Sequence, residues 1–158
     1  MPPTAEEVHL RLVAALAKAG VTFRQLQHEA VFTSAQAATV RGTTLHSGAK
    51  ALILNGDDRF VMVVLPADMA LDSKAIRKHF AWSGLRFATE EEVLQLTGLR
   101  PGSIPPFGSL LGLSTLCDER LSENAEINFN AASHTDSIAM SYEAYFKYES
   151  PIGGQFAK

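Results

Sequence analysis

The sequence predicts an α+β fold in which a mixed, mostly antiparallel β-sheet is flanked by helices, and three observations carry that prediction. Helical and strand-like segments follow an opening helix in the order β, α, β, β, α, α, β, β, β, α, which is neither a regular βαβ alternation nor a repeat. Two apolar runs, residues 51–54 and 60–65, flank Asn55-Gly56-Asp57-Asp58, whose Asn-Gly pair signals a hairpin and therefore an antiparallel pair. The chain has 158 residues, 46% of them apolar. That is enough for a single domain over 1–158 that buries about 70% of the surface its unfolded form exposes.

Each element has a local reason. Thr4-Ala5-Glu6-Glu7 reads as a capping box, and Val8, Leu12, Ala15 and Leu16 recur at helical spacing until Gly20 ends the run. Residues 21–26 alternate apolar and polar as a half-buried strand does, and Thr33-Ser34-Ala35-Gln36 caps a short helix. His28 and Glu29 fall in the connection between them. Leu71-Asp72-Ser73 opens a helix that runs to Phe80, and Thr89-Glu90-Glu91-Glu92 caps another that ends before Gly98. Residues 113–117 form the next strand, residues 127–129 and 138–140 are weaker strands, and residues 142–148 suggest a terminal helix. Pro151-Ile152-Gly153-Gly154 reads as a frayed tail.

Charge and composition exclude several classes of function. No apolar run approaches the roughly 20 residues needed to span a bilayer, and no basic segment followed by an apolar core marks a secretory signal, so no membrane partner and a cytoplasmic location are expected. Cys117 is the only cysteine, which rules out an internal disulfide or a multi-cysteine zinc site and suits a reducing compartment. Fourteen basic against seventeen acidic side chains leave a net charge of −3. No global field draws the chain to nucleic acid, so DNA is not an expected partner and any RNA contact must be local. Arg41, Lys50, Lys74, Arg77 and Lys78 could form a basic rim; the alternative is a charged helix face exposed for solubility.

Gly102-Ser103-Ile104-Pro105-Pro106-Phe107-Gly108 is the most specialised stretch. Glycine lets the main chain approach a ligand closely, while the two prolines fix φ and restrict the residues before them. A loop held in shape with its amides available is how a backbone anion or oxyanion site is built. A rigid surface turn is the alternative. Lys50 opens an apolar strand, where a long cation needs a partner such as a ligand anion unless it snorkels back to water.

These two stretches, with Gly48-Ala49-Lys50 and Phe129-Asn130-Ala131-Ala132-Ser133-His134-Thr135-Asp136, resemble the YbaK/ProX family of aminoacyl-tRNA deacylases, whose fold also occurs as the editing domain inserted in some prolyl-tRNA synthetases. The resemblance covers residues 21–145. It implies a trans-editing hydrolase that cleaves the ester between a mischarged amino acid and the terminal ribose of tRNA. It implies that Lys50 engages the terminal adenosine end and that Gly102, Ser103, Ile104, Pro105 and Pro106 match the family's Gly-x-x-x-Pro loop around the ester carbonyl. By the same resemblance His28 and Thr33 line the aminoacyl pocket, and Phe107, Gly108, Asn130, Ser133 and His134 are further substrate-binding positions. The implied partners are the aminoacyl-tRNA acceptor end and an aminoacyl-tRNA synthetase, with no cofactor and no metal. Ala132 departs from the glycine common in that turn, so a non-catalytic tRNA- or synthetase-binding module of the same fold is the alternative.

Other chemistries fit less well. Ser133, His134 and Asp136 hold the three parts of an acyl-transfer triad, but residues this close on an extended segment alternate faces and no Gly-x-Ser-x-Gly elbow raises a nucleophile. His134 and Asp136 lack a third metal ligand, and Cys117 lies inside an apolar strand as core. Alanine, serine, threonine and cysteine are all candidates for the edited amino acid, since single-methylene discrimination is worth only about 1–3 kcal/mol.

Overall fold

The computed structural model describes residues Met1–Lys158. Its helices are α1 (Ala5–Lys18), α2 (Ser34–Arg41), α3 (Ser73–Phe80), α4 (Glu90–Thr97) and α5 (Tyr142–Glu149). Its strands are β1 (Phe23–Gln27), β2 (Ala49–Gly56), β3 (Arg59–Pro66), β4 (Leu85–Phe87), β5 (Ser114–Asp118), β6 (Glu126–Asn130), β7 (Asp136–Ser141) and β8 (Ile152–Gly154). The caps are those the sequence announces. Thr33 and Thr89 form reciprocal capping boxes with Gln36 and Glu92, Thr4 accepts from the Glu7 N–H, and Asp72 accepts from the Ala75 N–H.

The expected mixed, mostly antiparallel architecture is present, divided between two sheets. One has the order β1-β7-β6 and is antiparallel throughout; the other has the order β4-β2-β3-β5-β8, with β5 parallel to both β3 and β8. An isolated bridge between Gly48 and Asn128 tacks the end of one sheet to the other. Strand β3 is buried on both faces, which is why it reads as an unbroken apolar run. Its Met62 and Val64 join a large core with Leu12, Phe107, Phe129 and Tyr145, while Val63 and Leu65 join Ile76, Leu116 and Phe156 beneath α3. No helix is long and apolar enough to cross a membrane.

Two local readings need correction. The hairpin turn is made by Asp57 and Asp58, both at positive φ (48° and 65°), while Asn55 and Gly56 complete β2. Gly56 is needed for a different reason: a Cβ there would lie 2.5 Å from the Trp82 ring, so its bare backbone is what lets the indole pack across the strand. The C-terminal segment is an ordered edge strand rather than a frayed tail. Strand β8 pairs with β5, Phe156 is fully buried, and Lys158 exchanges two backbone hydrogen bonds with Ala70. The buried Asp118 carboxylate anchors it by accepting from the N–H groups of Phe156 and Ala157 at 2.7 and 2.8 Å. A Gly-Gly pair carries no periodicity, so this order comes from a distant carboxylate and one aromatic anchor. Strand β4, three residues long, also gave no periodic signal.

Candidate active site

Where the two sheets meet at the Gly48–Asn128 bridge, a cleft of about 210 Å³ opens between α2, the start of β2, the end of β6 and the Gly102 loop. Its wall is built largely from small residues, including Ala37, Ala38, Gly48, Ala49, Ala51 and Ala67. Two cations, Lys50 and Arg41, line it, and no Asp, Glu, His or Cys does.

Lys50 is the second residue of β2, opposite Leu65, and its half-buried side chain makes no hydrogen bond or ion pair. Burial pulls its pKa below the usual lysine value, and the charge of Asp68 partly opposes that shift. The Gly102 loop stands across the cleft. Gly102 has φ of 91°, a conformation that glycine adopts without strain. Its carbonyl accepts from the Asn130 side-chain amide, whereas its own N–H and that of Ile104 donate to nothing within the chain. The Ser103 N–H and hydroxyl both donate to the Arg100 carbonyl, so this residue closes the turn and leaves its neighbours' amides uncommitted.

The remaining expected residues divide into those on the cleft and those behind it. Thr33 and Asn130 line it, although the Thr33 hydroxyl also caps α2 by accepting from the Gln36 N–H. Pro105, Pro106, Phe107 and Gly108 are buried behind the loop instead of lying along an open turn. The Pro106 carbonyl accepts from the buried Tyr145 hydroxyl at 2.7 Å, the Gly108 N–H donates to Thr115, and Phe107 packs edge-on against Phe129 at 5.4 Å. Their placement fixes the loop from below.

His28 lies off the cleft: its Nδ1 donates to the Glu29 carbonyl, and its Nε2 is hydrogen-bonded to the Ser137 hydroxyl at 2.7 Å. Ser133 and His134 line a separate hollow of about 470 Å³ beyond the loop. His134 bonds the Val31 carbonyl, Ser133 bonds Thr135, and Asp136 accepts from Thr135, so the three make no triad. Ala132 adopts φ of 63° within that turn, keeping a conformation in which glycine is the easier residue. Cys117 is buried, and burial followed by the Asp118 charge pushes its thiol up to about 12, which leaves it unreactive.

The sequence reading left Arg41 between a basic rim and a charged helix face exposed for solubility, and it passed over Asn128. The guanidinium is instead held in the cleft wall by three neutral oxygens: Nε donates to Ser137 at 2.8 Å, one terminal nitrogen to Asn128 at 2.8 Å and the other to Asn130 at 2.7 Å. Burial lowers its pKa to about 10. A usable signal was present: Ser34, Ala37, Ala38 and Arg41 fall on one face of α2, and all four line the cleft. Asn128 and Asn130 likewise share a face of β6.

The family model for the aminoacyl-tRNA editing domain matches residues 28–148, more than half of the chain. The chain belongs to the aminoacyl-tRNA editing family. It is 35% identical over 148 residues to the multifunctional Ser/Thr-tRNA deacylase ProXp-y of Escherichia coli (strain K12), covering 90% of this chain and 89% of that one. It is 30% identical over 100 residues to the proline–tRNA ligase of Trichlorobacter lovleyi, covering 63% of this chain but 17% of the ligase. A solved structure assigned as a candidate trans-editing enzyme for prolyl-tRNA synthetase superposes with a TM-score of 0.82 at 22% identity, over all of this chain and 99% of that one, and supports the fold. The resemblance drawn from the Lys50 and Gly102 stretches is borne out at the level of family, and with it the hydrolase class.

Proposed function

We propose that this chain removes small amino acids from mischarged tRNA, acting in trans on the ester at the acceptor end. Water adds its oxygen to the ester carbonyl carbon, and the bond to the ribose oxygen breaks. That oxygen takes a proton, and the released acid loses one to become a carboxylate. The observation that carries this reading is the composition of the cleft: two cations and the free N–H groups of Gly102 and Ile104, without any carboxylate, imidazole or thiol to act as base or nucleophile.

Such a site works by positioning and by stabilising negative charge. The two free amides receive the carbonyl oxygen as it becomes an oxyanion, and Lys50 orients the phosphate-bearing acceptor end. The neighbouring hydroxyl of the terminal ribose takes the place of a base by hydrogen-bonding the attacking water and relaying its proton to the leaving ribose oxygen. A cleft of about 210 Å³ is below the size of a drug-sized pocket and suits a small side chain, in keeping with the Ser/Thr specificity of the Escherichia coli relative. A synthetase partner is part of the same reading, supported by the match to a segment of proline–tRNA ligase.

The test is release of labelled amino acid from tRNAs charged with alanine, serine, threonine or cysteine, each with a normal or a 2′-deoxy terminal adenosine carrying the ester on its 3′ oxygen. Turnover of small aminoacyl groups that falls sharply on the deoxy substrate is expected. Equal rates on both substrates would remove the ribose from the mechanism, and saturable binding without any turnover would point to a binding module.

A further inference from the structure

Arg41 carries an unusual electrostatic burden for its position. An ion taken out of water costs several kcal/mol unless a counter-charge or full hydrogen bonding compensates it. Arg24, Arg86, Arg100 and Arg120 all have carboxylate partners. Arg41 has none, and its three hydrogen bonds go to uncharged oxygens. A guanidinium has five N–H groups, so two remain uncommitted.

The three bonds also fix where those remaining donors sit. The Asn128 amide donates to the Ser47 hydroxyl at 2.9 Å, and the Asn130 amide donates to the Gly102 carbonyl, so each asparagine is oriented with its oxygen toward Arg41. The plane of the guanidinium is therefore set in advance, one side chain away from the Gly102 loop. The ester substrate presents a neutral carbonyl beside a cationic α-amino group, so a half-buried cation gains a hydrogen bond from the first and repulsion from the second but no counter-charge from either. Hydrolysis changes this, because the carbonyl carbon becomes a carboxylate in the same place.

We propose that Arg41 is a carboxylate receptor: its uncommitted N–H groups bind the carboxylate of the released amino acid, so that free small amino acids occupy the cleft and inhibit the enzyme competitively. The inference rests on the deacylase reading of this cleft but adds a ligand and a site residue to it. A small free amino acid supplies the charge that Arg41 lacks and a body short enough for the alanine-lined wall.

The experiment is a calorimetric or NMR titration of the intact parent protein with L-serine and L-alanine, and with L-serinamide and L-alaninamide. The amides keep the side chain and the ammonium but lack the carboxylate. Binding of the acids about 10- to 100-fold tighter than the amides is expected, the range for a charge-assisted hydrogen bond, with the acids raising the apparent KM and leaving kcat unchanged. Arg41→Met, verified as folded by its thermal melt, should lose this preference, and Arg41→Lys should keep part of it. Equal binding of acid and amide to the parent, or no binding of either, overturns the proposal without touching the deacylase reading, which is scored separately by turnover. Undiminished acid preference in folded Arg41→Met overturns it as well.

Discussion

Replacing Gly102 with alanine separates the backbone conformation of the loop from its packing. A Cβ built there lies 3.7 Å from His134 Cε1, an ordinary contact, so the substitution is opposed by torsion and not by volume. At φ of 91° an L-residue is strained by about 1–3 kcal/mol, and alanine returns about 0.4–1 kcal/mol by restricting the unfolded chain. A net loss of about 1–2 kcal/mol corresponds to a fall in Tm of about 2–8 °C for a domain near this size. The fold survives, but the loop escapes the strain by turning φ toward negative values, which swings the free amides away from the carbonyl. Loss of one such donor costs about 100- to 1,000-fold in rate. Thermal melts and single-turnover release of labelled serine from mischarged tRNA measure the two effects together. A variant with the expected Tm shift and the parent rate would refute the assignment of the carbonyl to these amides.

Three further outcomes are expected. Lys50→Ala should lower deacylation about 100-fold while retaining the fold, and Lys50→Arg should not fully rescue it, because a planar guanidinium is a poor substitute for a compact ammonium; near-parent turnover in folded Lys50→Ala removes Lys50 from the site. With uncatalysed hydrolysis subtracted, the rate should fall with rising pH below the usual lysine range, since burial lowers the Lys50 pKa. Asp68→Asn should move that fall to still lower pH, because Asp68 supports the ammonium; an unmoved profile uncouples the pair. At Asp118 burial raises the carboxyl pKa, but bonds from Arg120 and from the Arg120 and Phe156 N–H groups outweigh it, and the net shift is downward. Its stabilisation is therefore present above about pH 4 and lost as pH falls through the lowered folded value. Asp118→Ala should cost about 3–5 kcal/mol in urea denaturation and flatten the acid limb of stability, and a loss under 1 kcal/mol would show that the C-terminal strand does not depend on this anchor.

What the sequence disclosed follows the range of the interactions involved. The Thr33 and Thr89 caps, the β2–β3 pairing and the spacing of Leu12 and Leu16 depend on residues close in the chain, and they read correctly. The order of residues 152–158 depends on Asp118, nearly forty residues away, and no pattern within the tail reports it. The same distinction divides the site. Lys50 and Gly102 stood out because each is locally anomalous, a cation opening an apolar run and a glycine before a rigid proline pair. Arg41 was ordinary in its own neighbourhood, and its place in the cleft wall is set by hydrogen bonds to Asn128, Asn130 and Ser137 of the β1-β7-β6 sheet.

That asymmetry also explains why a search for a catalytic triad finds its parts in the wrong place. Ser133, His134 and Asp136 lie together in sequence, yet they stand beyond the Gly102 loop with their hydrogen bonds directed elsewhere. A cleft built for a nucleophile must keep a base beside it, whereas this one is lined by two cations and by Gly102 and Ile104, whose amides have no partner within the chain, and by no carboxylate, imidazole or thiol. An arrangement of that kind disfavours a cationic ground state and favours whatever negative charge the reaction produces, first on the carbonyl oxygen and then on the released acid. The differential binding that lowers the barrier and the product binding assigned to Arg41 are therefore two consequences of one electrostatic choice: a site that stabilises the oxyanion without a neutralising carboxylate retains affinity for the carboxylate that follows it.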